Sequence, residues 1–293
     1  MEFQPLTLAD IGRVRPFFLS APFRTCDFTV GGMFMWRDYF KMKYTVSDGV
    51  FYSALHSADG TVYYNLPLVA DTADATVDAI ARLAREQNDR ICFCTIPESC
   101  LSWFRQVCPD AVVTEQVDFA DYLYNASDLA TLAGKKFSGQ RNQISQFKRA
   151  VQSFSYTDLT ADNLPDVTDF FANTYKLSPD ATEFEREENR KVSEVLLHLD
   201  EYGMFGGVLY ADGRVVGFSL GEIVGDTLFT HIEKADRNVK GAYQMTVQSF
   251  ASRYATGDVR FINREEDVGD PGLRVSKLSY HPVALLKKYT VAF

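Results

Sequence analysis

The sequence predicts an α+β (mixed α/β) protein built from two similar halves, and three observations carry that expectation. Runs of strand-forming residues bounded by turn formers alternate with runs whose apolar residues recur at i, i+3 and i+4. The opening FQPLTLADIGRVRPFF returns 153 positions later as YTDLTADNLPDVTDFF, with Leu6/Leu159, Thr7/Thr160, Val14/Val167, Phe17/Phe170 and Phe18/Phe171 coinciding. A shared offset of this kind is the mark of a duplicated unit. The chain's 293 residues, 46% hydrophobic and 24% charged, suffice for one large or two ordinary domains with a packed core.

In the first half, YTVSDGVFYSAL and TVYYNLPL read as adjacent strands turning near Gly60. DATVDAIARLARE is a helix, ICFCTI a strand and ESCLSWFRQV a helix, with Asn88-Asp89 and Pro109-Asp110 as punctuation. VVTEQVDFADYLYN reads as strand, turn, strand. GKKFSGQRNQISQFKRAV then carries Lys135, Lys136, Arg141, Lys148 and Arg149 without an acidic residue. Its apolar spacing predicts a basic helix crossing to the second half, so the expected domains are 1–150 and 151–293.

The second half reads as strand (FSYTDLT), helix (NLPDVTDFFANTYK) and a second helix with the stripe Val192, Val195, Leu196, Leu199. Three strands follow, MFGGVLYADG, RVVGFSLGEIVGD and TLFTHIEKA, joined by tight turns at Asp212-Gly213 and Gly225-Asp226. A helix over 242–254, the strand VRFIN, a short helix from Pro271 to about Tyr280 and a last strand, LLKKYTVAF, complete the chain.

Composition narrows the function classes. A net charge of −9 argues against general nucleic-acid binding, though not against a local basic patch. No apolar run is long enough for a membrane span, and MEFQPLTLAD lacks the pattern of an export signal, so a cytoplasmic location is expected. Cys92, Cys94, Cys100 and Cys108 have no zinc-site spacing and are expected to be structural thiols, with no metal.

The stretch most suited to chemistry is FINREEDVGDPGLRVSKLSYHP, residues 261–282. In an open sheet the ligand crevice lies past the carboxyl ends of strands, and Asn263, Arg264, Glu265, Glu266 and Asp267 come just after VRFIN. Asp270-Pro271 suits a helix start, and Gly269 and Gly272 allow close backbone approach. Arg274, Lys277 and His281 recur at helical spacing, and Tyr280 sits beside them. Candidate roles are general base for Glu233 or His231, placed on one strand face by parity, and proton donor for Tyr280. Lys277 or Arg264 would stabilise an oxyanion, and Glu265 or Asp267 would bind a donor's ammonium group.

The element order of the second half resembles the GNAT acyltransferase fold. The pattern NREEDVG-x-x-GLR-x-x-KLSYHP, with FMWRDYF (34–40), YYNLPL (63–68) and KFSGQRNQISQFKR (136–149), resembles the phosphatidylglycerol lysyltransferase C-terminal domain-like family. The resemblance implies two tandem GNAT-like domains and kinship with enzymes moving an aminoacyl group from charged tRNA to an amine or hydroxyl. A second reading is an acetyl-CoA N-acetyltransferase, and a third is a non-catalytic binding or regulatory protein. The pyrophosphate loop of CoA-using relatives corresponds to DRNVKGAYQ, where Asn238 and Tyr243 replace the usual Arg/Gln and small residue around Gly241. That departure disfavours acyl-CoA. An aminoacyl-tRNA partner would be met by the basic helix, and the acceptor would be a small molecule, peptide or lipid headgroup.

Overall fold

In a computed structural model describing residues 1–57, 60–69, 73–87 and 91–293, the chain forms two compact units, each built on a mixed sheet. The expected turn at Asn88-Asp89 lies outside those residues.

The first unit comprises Met1–Asp121, Glu266–Asp270 and Leu285–Phe293. Its strands are β1 (Gln4–Pro5), β2 (Lys43–Ser47), β3 (Val50–His56), β4 (Val62–Tyr64), β5 (Leu68–Val69), β6 (Cys92–Pro97) and β7 (Val112–Glu115). The sheet runs β1-β2-β3-β4-β6, then the chain's last strand (Lys288–Ala292), then β7, with β5 paired to β3. β1 to β4 pair antiparallel, whereas β4 and β6 are parallel. A parallel pair needs a crossover, which is supplied by α3 (Ala73–Glu86); the other helices are α1 (Ile11–Ser20), α2 (Val30–Trp36) and α4 (Leu101–Val107). Buried rings of Phe18, Tyr44, Phe51, Phe93 and Phe104 fill its core.

The second unit comprises Tyr122–Glu265 and Pro271–Ala284. Its sheet contains β8 (Asp121–Asn125), β9 (Phe154–Asp158), β10 (Phe205–Ala211), β11 (Arg214–Val224), β12 (Thr227–Ala235), β13 (Phe261–Asn263) and β14 (Ala284–Leu286). The order is β14-β8-β13-β12-β11-β10-β9. β12 and β13 are parallel, joined through α10 (Ala242–Tyr254). The remaining helices are α5 (Ala126–Thr131), α6 (Ser138–Ala150), α7 (Leu164–Thr174), α8 (Glu183–Leu197), α9 (Leu199–Tyr202) and α11 (Pro271–Leu278). A capping box starts α8: Thr182 Oγ1 accepts from the Glu185 amide at 3.2 Å and Glu185 accepts from the Thr182 amide at 2.7 Å.

The two sheets repeat one topology, each antiparallel strands followed by one parallel crossover. The expected division at residue 150 does not follow the contacts. β8, which ends the first repeat, is built into the second sheet between β13 and β14; the last strand is built into the first sheet between β6 and β7. The basic helix α6 buries Ile144 and Phe147 in the core that includes α10, so it belongs to the second unit. Likewise LLKKYTVAF is not one strand: β14 and the last strand belong to different sheets.

Lys288 opens that last strand and is fully buried. Its Nζ lies 2.7 Å from both Asp121 and Asp27, 3.5 Å from Glu266 and 3.4 Å from Cys26 Sγ. Burial opposes its charge, but the surrounding acids outweigh that and push its pKa upward. Burial and the neighbouring carboxylates likewise raise Asp121 to about 7, against the pull of Lys288. Removing the ammonium would strand buried carboxylates, so Lys288→Met should cost about 3–5 kcal/mol in urea unfolding. Its exposed neighbour Lys287, paired with Glu115 at 3.2 Å, should cost under about 1 kcal/mol when changed to Met.

Candidate functional site

The parallel pair β12–β13 is short. Thr227, Leu228 and Phe229 oppose Phe261, Ile262 and Asn263, after which β12 runs on to Ala235 without β13 beside it. The ladder between them ends there, so past Phe229 and Asn263 the two strands run unpaired with each other (the splay), and the residues just past β13 are those expected from the sequence.

Two ion pairs span the splay. Arg264 Nη2 donates to Glu233 Oε2, and His231 Nδ1 meets Glu265 Oε1 at 2.7 Å. They lie on opposite faces of the sheet. Ser219 and Glu222 are three residues apart on β11 and therefore face opposite ways. Glu233 directly opposes Ser219, whereas His231 bonds Glu222 through Nε2 at 3.0 Å. Parity predicts one face for His231 and Glu233. A register shift opposite Leu220/Gly221 leaves His231 as an extra residue in β12 and turns it over.

His231 has a fully buried side chain and both ring nitrogens face carboxylates. Burial alone would lower its pKa, but the hydrogen bonds and charges of Glu222 and Glu265 prevail and raise it to about 10. It is a fixed cation at neutral pH and cannot serve as the expected general base. Glu222 is not among the residues singled out from sequence; its only signal there is a lone acid inside the apolar strand RVVGFSLGEIVG.

Arg264 is buried, with its guanidinium 4.8 Å from the Tyr280 ring centroid and 5.8 Å from that of Tyr124. Its Nη1 is buried without a hydrogen-bond partner among the described residues. Burial would lower its pKa, but Glu233 and the two tyrosines drive it higher, so the charge is permanent. Tyr280 is 3% exposed and burial pushes its phenol well upward, which makes it a poor proton donor and a good platform for Arg264.

The loop itself is braced. Lys277 Nζ donates to the carbonyls of Arg264 (2.7 Å) and Glu265 (3.2 Å), so its ammonium fastens the loop rather than pointing to an oxyanion. Asn263 Oδ1 accepts from the Glu265 amide at 2.6 Å. Glu265 takes the left-handed φ of 57°, a strained backbone state of the sort found at functional sites. Arg274 is half-buried on α11. Asp267 belongs to the first unit, where it accepts from the Gly269 amide at 2.9 Å.

In the first unit the corresponding splay beyond Tyr64 and Phe93 is spanned by a neutral contact, Cys94 Sγ to Asn65 Oδ1 at 3.6 Å. The charged apparatus is in the second unit. All five cysteines are free; burial raises Cys100 to about 12 and Cys94 further. Cys26, Asp27 and Asp121 offer closely spaced ligand atoms, but the Lys288 ammonium already stands against both carboxylates.

On α6 and the turn before it, all five basic residues are exposed. Lys136 pairs with Asp128 at 3.0 Å and Arg141 donates to the Gly134 carbonyl at 2.6 Å. Lys148 lies 5.5 Å from the Phe154 ring centroid. Gly241, at the start of α10, has φ 79°, and a Cβ there would stand 2.2 Å from the Gln143 carbonyl oxygen of α6. Tyr243 and Tyr175 hydroxyls meet at 3.0 Å, and Asn238 is folded onto Asp236.

The family model for the C-terminal part of phosphatidylglycerol lysyltransferase matches residues 20–292. The chain belongs to that lysyltransferase C-terminal family. A conserved protein of unknown function from Bacteroides thetaiotaomicron is 31% identical, covering 100% of this chain and 99% of that one, with TM-score 0.89. The C-terminal domain ascribed to a lysylphosphatidylglycerol synthetase of Agrobacterium fabrum shares the fold at 13% identity, covering 98% and 92%, with TM-score 0.67. An uncharacterized protein of Mycoplasmoides gallisepticum is 22% identical over 172 residues, 58% of this chain; the match spans about half, 55%, of that relative's length. The expected tandem GNAT-like architecture is thus the fold of the lysyltransferase C-terminal family. No helix among the described residues is long and apolar enough to cross a membrane.

The raised pKa of His231 makes a signed prediction. Its folded value of about 10 exceeds the ordinary value of roughly 6.5, so its stabilisation is complete below the latter and is lost as pH rises through the former. Chemical denaturation should show wild type more stable than His231→Gln by a few kcal/mol near pH 6, with the gap closing towards pH 10.

Proposed function

We propose that the protein is a GNAT-type transferase that moves an aminoacyl group from aminoacyl-tRNA to an amine or hydroxyl acceptor in the β12–β13 splay. The observation that carries this reading is the pair of opposed ion pairs across that splay, combined with membership of the lysyltransferase C-terminal family. Glu233 has one oxygen bound by Arg264 and is the general base that takes the acceptor's proton. The attack forms a new C–N or C–O bond, and the donor's ester C–O bond breaks as the ribose oxygen leaves with a proton. Arg264 Nη1 donates to the carbonyl oxygen as it becomes an oxyanion. Tyr124 and Tyr280 hold the guanidinium plane, and Lys277 and Asn263 hold the loop that carries it. Glu265 receives the donor's ammonium group.

Acyl-CoA is the less favoured donor. The start of α10, where a diphosphate would sit, is closed in by the α6 backbone at Gly241 and by the anchored Tyr243. Lys135, Lys148 and Arg149 are exposed on the basic segment and suit phosphate contacts along a tRNA.

Transfer of labelled amino acid from charged tRNA tests the reading. Glu233→Gln and Arg264→Gln should each lower kcat by about 100-fold or more while the protein stays folded. Reversing Lys135, Lys148 and Arg149 to Glu should raise the KM for tRNA, most strongly at low salt. CoA and acetyl-CoA should leave the melting temperature unchanged. Clear stabilisation by CoA together with acetyl transfer would replace this reading with that of an acetyltransferase.

A further inference from the structure

Resting on the transfer reading above, we infer that Ser219 and Tyr156 relay a proton from Glu233 to solvent at the β9 edge of the sheet, and hence that the acceptor arrives as an ammonium ion. The register aligns one row across the second sheet. Asp158 on β9 opposes Gly207 on β10, Gly207 opposes Ser219 on β11, and Ser219 opposes Glu233 on β12. Directly opposed residues share a face, so the row leads from exposed Asp158 to the Glu233–Arg264 pair.

The place of the missing side chain at Gly207 is taken from the side. Tyr156 lies two residues before Asp158 on the same face of β9, and a Cβ at Gly207 would stand 2.2 Å from its hydroxyl oxygen. Thr246 of α10 covers Gly217 in the same way, 2.4 Å from where a Cβ would be, so α10 roofs this face. The hydroxyls of Tyr156, Ser219 and Thr246 are all buried without a hydrogen-bond partner among the described residues. Packing alone would put apolar side chains there, since a buried hydroxyl without a partner costs stability. A hydroxyl both donates and accepts, which is what passing a proton along a file requires.

Burial pushes the Tyr156 phenol well upward, and the charges of Tyr254, Glu233 and Asp158 add to the rise against the pull of Arg253. Both ends of the row therefore act on this phenol, and it stays protonated, taking one proton as it gives another. At the outer end Tyr254 donates to Asp158 Oδ1 at 2.6 Å. The Arg253 guanidinium holds the Asp158 carboxyl well below the usual carboxylate range, so a proton arriving there passes to water.

A hydroxyl acceptor has no use for such an exit, because its one proton ends on the ribose oxygen that leaves. An ammonium acceptor has two to lose. The first goes to Glu233 and out along the row, which frees the nitrogen lone pair and empties the base. The amine then attacks, the C–N bond forms, the ester C–O bond breaks, and the second proton ends on the ribose oxygen.

The test follows transfer from aminoacyl-tRNA to methylamine, an ammonium ion at neutral pH, and to hydroxylamine, which is uncharged there and has no first proton to shed. Tyr156→Phe and Ser219→Ala should melt with wild type. With methylamine each should lower kcat by about tenfold or more and leave the KM for tRNA unchanged, whereas with hydroxylamine each should stay within about twofold of wild type. Added imidazole, a diffusible proton carrier, should restore part of the lost rate, and Ser219→Thr, which keeps the hydroxyl, should retain it. Equal losses with both acceptors, or losses that imidazole does not restore, would overturn the relay. Folded variants with wild-type rates on methylamine would also overturn it, and with Glu233→Gln inactive the transfer reading would stand. A wild-type protein that transfers to neither amine would overturn the transfer reading, and this inference with it.

Discussion

Arg264 and Glu265 are consecutive, opposite in charge, and leave opposite faces of one backbone. Each meets its counter-charge on the neighbouring strand, Glu233 on one face and His231 on the other. These ties bind the loop to β12 beyond the three backbone pairs of β12 and β13, while Lys277 and the β8 backbone at Tyr122 also hold it. The same ties explain the buried Tyr124–Arg264–Tyr280 stack and the strained φ at Glu265. A bulge is what puts His231 and Glu233, two residues apart on one strand, on opposite faces.

The strand exchange has a parallel logic. Each repeat ends with a strand lying in the sheet of the other, and those strands begin with Asp121 and Lys288. In the first unit these two residues form a buried pair at 2.7 Å, with Asp27, Glu266 and Cys26 gathered around it. A neutral pair would leave register to packing alone. A buried charge pair tolerates only one alignment, because any slip strands a charge in the core.

Much of the architecture is legible from periodicity. The repeated opening at 153 residues, the three antiparallel strands around Asp212-Gly213 and Gly225-Asp226, and the strand-to-helix crossover at 261–278 all correspond to elements of the fold. Local patterns do not report which sheet a strand joins, so LLKKYTVAF reads as one strand although it supplies two sheets. Arg264, Glu265 and Glu233 read from the sequence as candidate site residues because they follow a strand end or lie on the strand beside it, and the fold sets Arg264 against Glu233 and Glu265 against His231. The role of His231 is not recognisable, since a single bulge reverses its face and brings it to Glu222, nine residues back on the neighbouring strand. Lys277 likewise reads as an oxyanion stabiliser, whereas its ammonium is taken up by the loop carbonyls of Arg264 and Glu265.

The first unit repeats the splay but spans it with Asn65 and Cys94, an amide and a buried thiol whose pKa burial raises, so the contact is uncharged at neutral pH. Duplication therefore left one crevice with charged groups and one without, and the account places transfer in the former. A crystal structure with a non-hydrolysable 3′-amide analogue of aminoacyl-adenosine is the most direct test. The account predicts the aminoacyl group between β12 and β13, its ammonium on Glu265 and its carbonyl oxygen on Arg264 Nη1. An analogue seated beside Asn65 and Cys94, or lying away from both Glu265 and Arg264, would contradict it.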